Sequence, residues 1–239
     1  MIWKASEARH FPSSDQSFAM IFDELEMWAD PVARGGPEAM AVDEWLLEKC
    51  ARPLLRIYSW NGNWGSVGYF GKLSQARECL PGLDWVRRWT GGGTVDHSND
   101  WTYSLIVPQG HVVAQLKGGE SYRLIHEVLV RVLEAEVGAA SLSSGKGNGD
   151  TMCFENAVEH DIEDAGGNKL AGAAQRRGKS GLLHQGSVRS TAVCATLRGK
   201  IFTENLARSW SEVEISVNEN RVSELVERKY GACEWLERR

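Results

Sequence analysis

Three consecutive glycines, Gly91 to Gly93, stand between Arg87-Arg88-Trp89-Thr90 and Thr94-Val95-Asp96-His97. This segment restricts the fold more than any bulk property does. Glycine lacks a Cβ and accepts positive φ, so its N–H groups can be aimed at a carbonyl or a phosphate. Flanked by paired arginines and a histidine, such a loop can wrap a ligand closely. Trp85 to Trp89 reads as the entering strand. A second segment is paired with the loop downstream: Lys169-Leu170-Ala171-Gly172-Ala173-Ala174-Gln175-Arg176-Arg177, followed by His184-Gln185-Gly186-Ser187. Gly172, Ala173 and Ala174 keep that strand narrow, which lets a ligand or a second strand lie close.

The remaining pattern is of α/β type. Gly36-Pro37 is a helix start, because proline's fixed φ suits the first helical position. Ala41, Val42, Trp45 and Leu46 form one stripe on that helix. Leu54 to Trp60 alternates as a strand, and Thr102 to Val107 is another, ended by Pro108. Ser121 to Val137 is the clearest helix, with Ile125, Val128, Leu129, Val132 and Leu133 on one face. Glu159 to Asp164 and Lys169 to Gln175 read as a hairpin turned at Gly166-Gly167, after a glycine-rich loop over Ser143 to Gly149. Leu182 to Val188 is a further strand. Residues 1–35 fit no single element and are expected to pack back as an N-terminal extension. Leu206 and Trp210, then Val222, Leu225, Val226, Trp235 and Leu236, suggest two C-terminal helices within 200–239. With no repeat and no low-complexity linker, one domain over 1–239 is expected.

Composition excludes some functions. A net charge of −5 argues against a general nucleic-acid binder. No run approaches the roughly 20 apolar residues of a membrane span. Met1 to Glu7 lacks the apolar core of a signal peptide, so the cytoplasm is expected. The five cysteines (Cys50, Cys79, Cys153, Cys194 and Cys233) form no Cys-x-x-Cys pair. Free thiols are therefore expected, and no zinc site.

At its two glycine-bearing segments the chain resembles the lipoate/octanoate attachment enzymes of the biotin/lipoate protein ligase superfamily. The resemblance runs from about Gly36 to Ser190. Met40-Ala41-Val42-Asp43-Glu44-Trp45-Leu46-Leu47 is similar to the family's first helix, and Arg56-Ile57-Tyr58-Ser59-Trp60 with Ser66-Val67-Gly68 to its strand and turn. Trp101-Thr102-Tyr103-Ser104 resembles a strand of the octanoyltransferase branch. Cys153-Phe154 falls where that branch carries its nucleophile. The resemblance implies mixed and antiparallel sheets flanked by helices, the class II aminoacyl-synthetase-like catalytic fold. It further implies an acyltransferase acting without metal or cofactor, with an acyl carrier protein as donor. The implied acceptors are lipoyl domains, such as glycine cleavage H protein or E2 subunits.

Within that frame the candidate catalytic residues are Cys153 and Lys169. Cys153 as a thiolate would form the acyl-enzyme, though the residue type alone reads equally as a small buried hydrophobe. Lys169 would hold the reacting carbonyl; by position it is also an ordinary hairpin lysine. Arg88, Gly91, Gly92, Gly93, His97, Gly172, Ala174, Gln175, His184 and Gly186 are the candidate substrate contacts. The family order Gln-His-Gly-Ser is inverted here to His184-Gln185-Gly186-Ser187. Because neighbouring strand residues face opposite ways, the histidine is expected on the other face. Arg87, Arg88, Arg176, Arg177, Lys179 and Arg189 are expected to form a basic mouth for acidic carriers. Two competing readings remain: a lipoate–protein ligase using ATP and magnesium, which Gly93 favours, and a non-catalytic binder of acylated carriers.

Overall fold

The computed structural model describes residues 20–145, 157–189 and 195–238. Along the chain, strand β1 (Phe22–Ala29) precedes helix α1 (Gly36–Lys49). Strands β2 (Leu54–Tyr58) and β3 (Trp64–Val67), helix α2 (Leu73–Cys79) and strands β4 (Asp84–Arg87), β5 (Thr94–Asp96) and β6 (Asp100–Pro108) follow. A single turn, α3 (Val112–Gln115), leads into α4 (Gly118–Val137). Then come β7 (Ala140–Leu142), β8 (Ile162–Asp164), β9 (Lys169–Gly178), β10 (Gly181–Arg189), α5 (Ala195–Leu206) and β11 (Ala207–Glu212). Helix α6 (Glu219–Leu225) runs into a π turn at Val226–Tyr230, and α7 (Cys233–Leu236) is last.

Eight strands form one mixed sheet in the order β11-β1-β2-β6-β10-β9-β8-β7, and β4-β3-β5 form a second. In the large sheet β1 runs parallel to both neighbours, and the pairs from β2 onward are antiparallel. The period-two alternation sorts side chains to two layers. Leu55, Ile57, Tyr103 and Leu105 face α4 and α5, whose buried Ile125, Leu129, Leu133 and Phe202 complete that core. Leu54, Tyr58, Ile106 and Leu183 face α1 and the C-terminal turns. Gly138, at φ 84, ends α4 in the left-handed conformation that glycine adopts without strain. The hairpin turn forms at Gly166-Gly167, where Asp164 Oδ1 accepts from the N–H groups of Gly166 and Asn168.

Two expectations are corrected. Within the expected extension, Phe22–Ala29 form β1, an inner strand of the large sheet. Trp210 is not helical. It lies on β11 in register with Leu25 of β1. Leu206 and Trp210 are four apart, which imitates a helical stripe, but pairing with a distant strand decides the backbone. No helix among the described residues is long and apolar enough to cross a membrane.

Candidate active site

A charge network fastens α1 to the sheet and reaches the glycine loop. Arg56, fully buried, donates from Nη1 to Asp43 Oδ1 at 2.6 Å and from Nη2 to Asp30 Oδ2 at 2.7 Å. Asp43 Oδ2 accepts from Ser104 Oγ at 2.6 Å and from Gln185 Nε2 at 2.7 Å. Gln185 Oε1 in turn accepts from Thr90 Oγ1 at 2.6 Å, just before Gly91. A buried ion pair contributes little net stability, yet removing one partner costs about 3–5 kcal/mol.

The loop itself is held by arginine. Arg88 Nη2 donates to the carbonyls of Gly91 (3.1 Å) and Gly93 (2.7 Å), and Nη1 to Ser66 O (3.1 Å) and Ser66 Oγ. Beneath it, a Cβ at Gly68 would stand 2.0 Å from Gly92 O, so only glycine lets the loop seat. Arg87, also buried, binds the carbonyls of Gly68 (2.9 Å), Gly71 (2.8 Å) and, through Nε and Nη2, Trp235 (3.0 Å) and Leu236 (2.8 Å). Both arginines are therefore internal staples rather than parts of a basic mouth. Arg177 is turned away as well, donating to Gln175 Oε1 at 2.8 Å and to Ser121 Oγ. Lys179 and Arg189 are exposed.

An open cleft, whose space of about 530 Å³ includes open solvent, lies against this loop. Lys169, Arg88, Gly92, Gly93, His97, Gly172, Ala174 and Gly186 all line it. Met40, Tyr58, Trp60, Gln185 and Ser187 line it too, although none was among the candidate substrate contacts. Gly91 belongs to the loop but not to the lining. Gln175 and His184 are also absent from the lining. They pair across β9 and β10 on the opposite face, with Gln175 Nε2 and His184 Nδ1 3.0 Å apart. His184 Nε2 bonds Tyr103 OH at 3.1 Å. The inverted dipeptide thus sends the amide inward and the imidazole behind the sheet, as strand alternation requires. Gly186 makes room there: a Cβ would meet the Tyr103 ring at 2.2 Å. Cys153 lies outside the described residues.

His97 is held on three sides. Its Nε2 is 2.6 Å from Ser66 Oγ, its Nδ1 2.7 Å from Asp100 Oδ2, and its ring stacks on Trp60 with centres 4.0 Å apart. A Ser-His-Asp order suggests nucleophilic catalysis. Ser66, however, is fully buried and gripped by Arg88, so the set orders the loop instead.

Lys169 enters from the first residue of β9. Its stem crosses over Gly172, where a Cβ would stand 2.7 Å from Lys169 Cε and 2.8 Å from Nζ. The ammonium sits 2.7 Å from Asp161 Oδ2. Asp161 is buried and accepts from Tyr122 OH and, at 2.9 Å, from Val158 N–H. Tyr122 comes from α4 and Asp161 from just before β8, so no local spacing reveals the trio. Behind Tyr122, His126 Nδ1 bonds His160 O at 2.7 Å, while Nε2 has no partner among the described residues. Burial pushes the His126 imidazole down to about 4, and burial with His126 and Arg177 nearby pushes His184 well below the usual range. Both are held neutral.

A family model described as the lipoyl protein ligase A/B catalytic domain matches residues 36–229. The chain belongs to this family. Its relatives include octanoyltransferase LipM of Symbiobacterium thermophilum, 35% identical over 175 residues, which are 65% of this chain and 61% of the relative. Octanoyltransferase LipM of Staphylococcus aureus is 31% identical over 169 residues, 62% of this chain and 60% of the relative. The matched part of the chain thus spans about three fifths of the length of these lipoyl ligase family relatives. Protein Ta0514 of T. acidophilum, solved with bound lipoic acid, superposes with a TM-score of 0.68 at 21% identity, covering 90% of this chain and 98% of that one. A lipoate-protein ligase A bound with ATP gives 0.65 at 21% identity, covering 91% and 99%. These two likenesses establish the catalytic-domain fold expected from the sequence.

Proposed function

We propose that this member of the lipoyl ligase family is an octanoyltransferase, moving an octanoyl group from a carrier thioester to a lysine of a lipoyl domain. The observation that carries the reading is the Lys169 ammonium, anchored by Asp161 at the lining of a cleft closed by the glycine loop. Relatives 31–35% identical and named octanoyltransferases supply the reaction class. Acyl carrier protein is the proposed donor. Lipoyl domains such as glycine cleavage H protein or E2 subunits are the proposed acceptors.

The chemistry needs two steps. The Cys153 thiolate attacks the thioester carbonyl and expels the carrier thiolate, which takes up a proton. Lys169 stabilises the negative charge that develops on the carbonyl oxygen. The neutral amine of the target lysine then attacks the acyl-enzyme, loses a proton, and releases Cys153. Amide formation from a thioester is downhill, so the reaction calls for neither ATP nor metal. Among the described residues Cys50 and Cys233 are free thiols, which suits a reducing compartment such as the cytoplasm.

The test is intact mass after incubation with octanoyl carrier protein and a lipoyl domain, with and without ATP. Octanoylation of the domain without ATP is expected. Modification that occurs only with free acid, ATP and magnesium would establish the ligase reaction instead.

A further inference from the structure

Beyond the glycine loop, three cations and three aromatic rings alternate in a closed circuit. The Arg176 guanidinium lies 4.8 Å from the Trp89 ring centre and 5.3 Å from that of Tyr69. Lys229 Nζ is 4.0 Å from Trp89 and 4.7 Å from Trp235. Arg238 closes the circuit at 5.4 Å from Trp235 and 4.4 Å from Tyr69. Each of these three rings serves two cations and each cation two of these rings, with Lys229 also 4.8 Å from the Tyr230 ring. None of the six lines the cleft.

The circuit carries excess charge. Among the described residues, Glu44 is the one carboxylate paired with these cations, through Lys229. Like charges held this close repel. Burial first, and Arg176 among its neighbours, pull the Lys229 ammonium below the usual lysine range. A positive concentration of this kind, on a chain of net charge −5, favours an anionic visitor. Beside it stands Phe70, 82% exposed, with its ring centre 4.8 Å from that of Tyr69. Arginine, tyrosine and tryptophan around an exposed phenylalanine is the composition of a protein-binding hot spot, not of a solvated rim.

Its position relates it to the cleft. Trp89 directly precedes the Thr90 that bonds Gln185, and Tyr69 follows Gly68, on which the glycine loop sits. Arg176 lies two positions from Ala174 on the same face of β9, about 7 Å along the strand.

We infer that this face docks the protein acceptor, which presents carboxylates to Arg176, Lys229 and Arg238 and an apolar side chain to Phe70 while its lysine enters the cleft. The inference rests on the protein-acceptor part of the proposed function, which the transferase and ligase reactions share. Acceptor docking therefore holds whichever donor is used.

The experiment compares wild type with Arg176→Glu/Arg238→Glu and, separately, Phe70→Ser. Calorimetric affinity for a lipoyl domain is read first, at low and moderate salt, because it needs no turnover. Transfer kinetics follow, with the lipoyl domain and with a small soluble amine as acceptors. In both variants the acceptor-domain Kd and KM should rise by about tenfold or more, with kcat and the small-amine rate unchanged. The wild type should lose affinity as salt rises, and the charge-reversed variant much less. An unchanged Kd and salt slope would overturn the proposal. So would a KM that rises for the carrier donor alone, which would make this the donor's face. A fall in the small-amine rate would also overturn it, by placing these residues in the cleft. A chain that binds the domain through this face yet transfers nothing would refute the proposed function and leave the docking face standing.

Discussion

Gly172→Ala should separate stability from activity. The new methyl would stand 2.7 Å from Lys169 Cε, 2.8 Å from Nζ and 3.1 Å from Asp161 Oδ1. The obstructed atoms are the far end of a flexible side chain, so the strand itself need not move. Gly172 is not among the positive-φ glycines. Replacing it by alanine at a compatible backbone stiffens the unfolded chain, worth about 0.4–1 kcal/mol in favour of folding. That gain offsets part of the cost of moving the lysine off Asp161, which keeps Tyr122 OH and Val158 N–H as donors. The thermal midpoint should therefore move by no more than about 4 °C. The ammonium, in contrast, must leave its place beside Asp161, and if it serves there as the proposed donor to the reacting carbonyl, losing it costs on the order of a hundredfold or more in rate. The assay pairs thermal unfolding with octanoyl transfer kinetics for wild type, Gly172→Ala, Lys169→Ala and the double variant. If the methyl acts through Lys169, the double variant should be no slower than Lys169→Ala alone. A near-wild-type rate in Gly172→Ala would refute the reasoning. Additive losses in the double variant would show that the methyl obstructs the acyl group instead.

Cys153→Ala should abolish the hydroxylamine-labile octanoyl adduct seen by intact mass, while Cys50→Ala keeps it; full transfer without Cys153 would end the acyl-enzyme mechanism. Asp43→Ala strands Arg56 and frees Gln185, and should cost about 3–5 kcal/mol in urea unfolding; a loss under 1 kcal/mol would show that the network is not holding α1. For His126 the folded value, about 4, lies below the unfolded value of about 6.5. Its contribution is thus present above about pH 6.5 and is lost as the pH falls towards 4, because the unfolded chain binds the proton more readily. The urea midpoint should drop across that window, and His126→Phe should flatten the drop; an unchanged profile in the variant would assign the acid loss to other groups.

What the sequence disclosed depended on whether the signal was local. The α4 stripe, the α1 start at Pro37 and the Gly166-Gly167 turn are carried by neighbours within a few positions, and each forms where the pattern puts it. The His184-Gln185 inversion was legible because strand alternation is strict. Strand β11 was misread because its hydrogen-bond partner lies about 180 residues earlier, in a segment with no clear periodicity of its own. The cleft divides in the same way. Glycines and the lysine mark themselves by type and spacing. Asp161, Tyr122 and Asp43 look like ordinary solvated or helical residues until the fold brings them together. Arg87 and Arg88 read as surface charge because a run of arginines does not show that backbone carbonyls will enclose it.

Arg87 also bears on the order in which the protein is made. The carbonyls that satisfy its guanidinium come from two places: the turn after β3, synthesised early, and Trp235 and Leu236, more than 140 residues later. Until that late segment leaves the ribosome, a buried guanidinium under the glycine loop lacks acceptors for Nε and Nη2. β11, which pairs with β1, is late as well. The support beneath the glycine loop is thus among the last parts to be secured during translation, and in a nascent chain still short of Trp235 that support is unfinished.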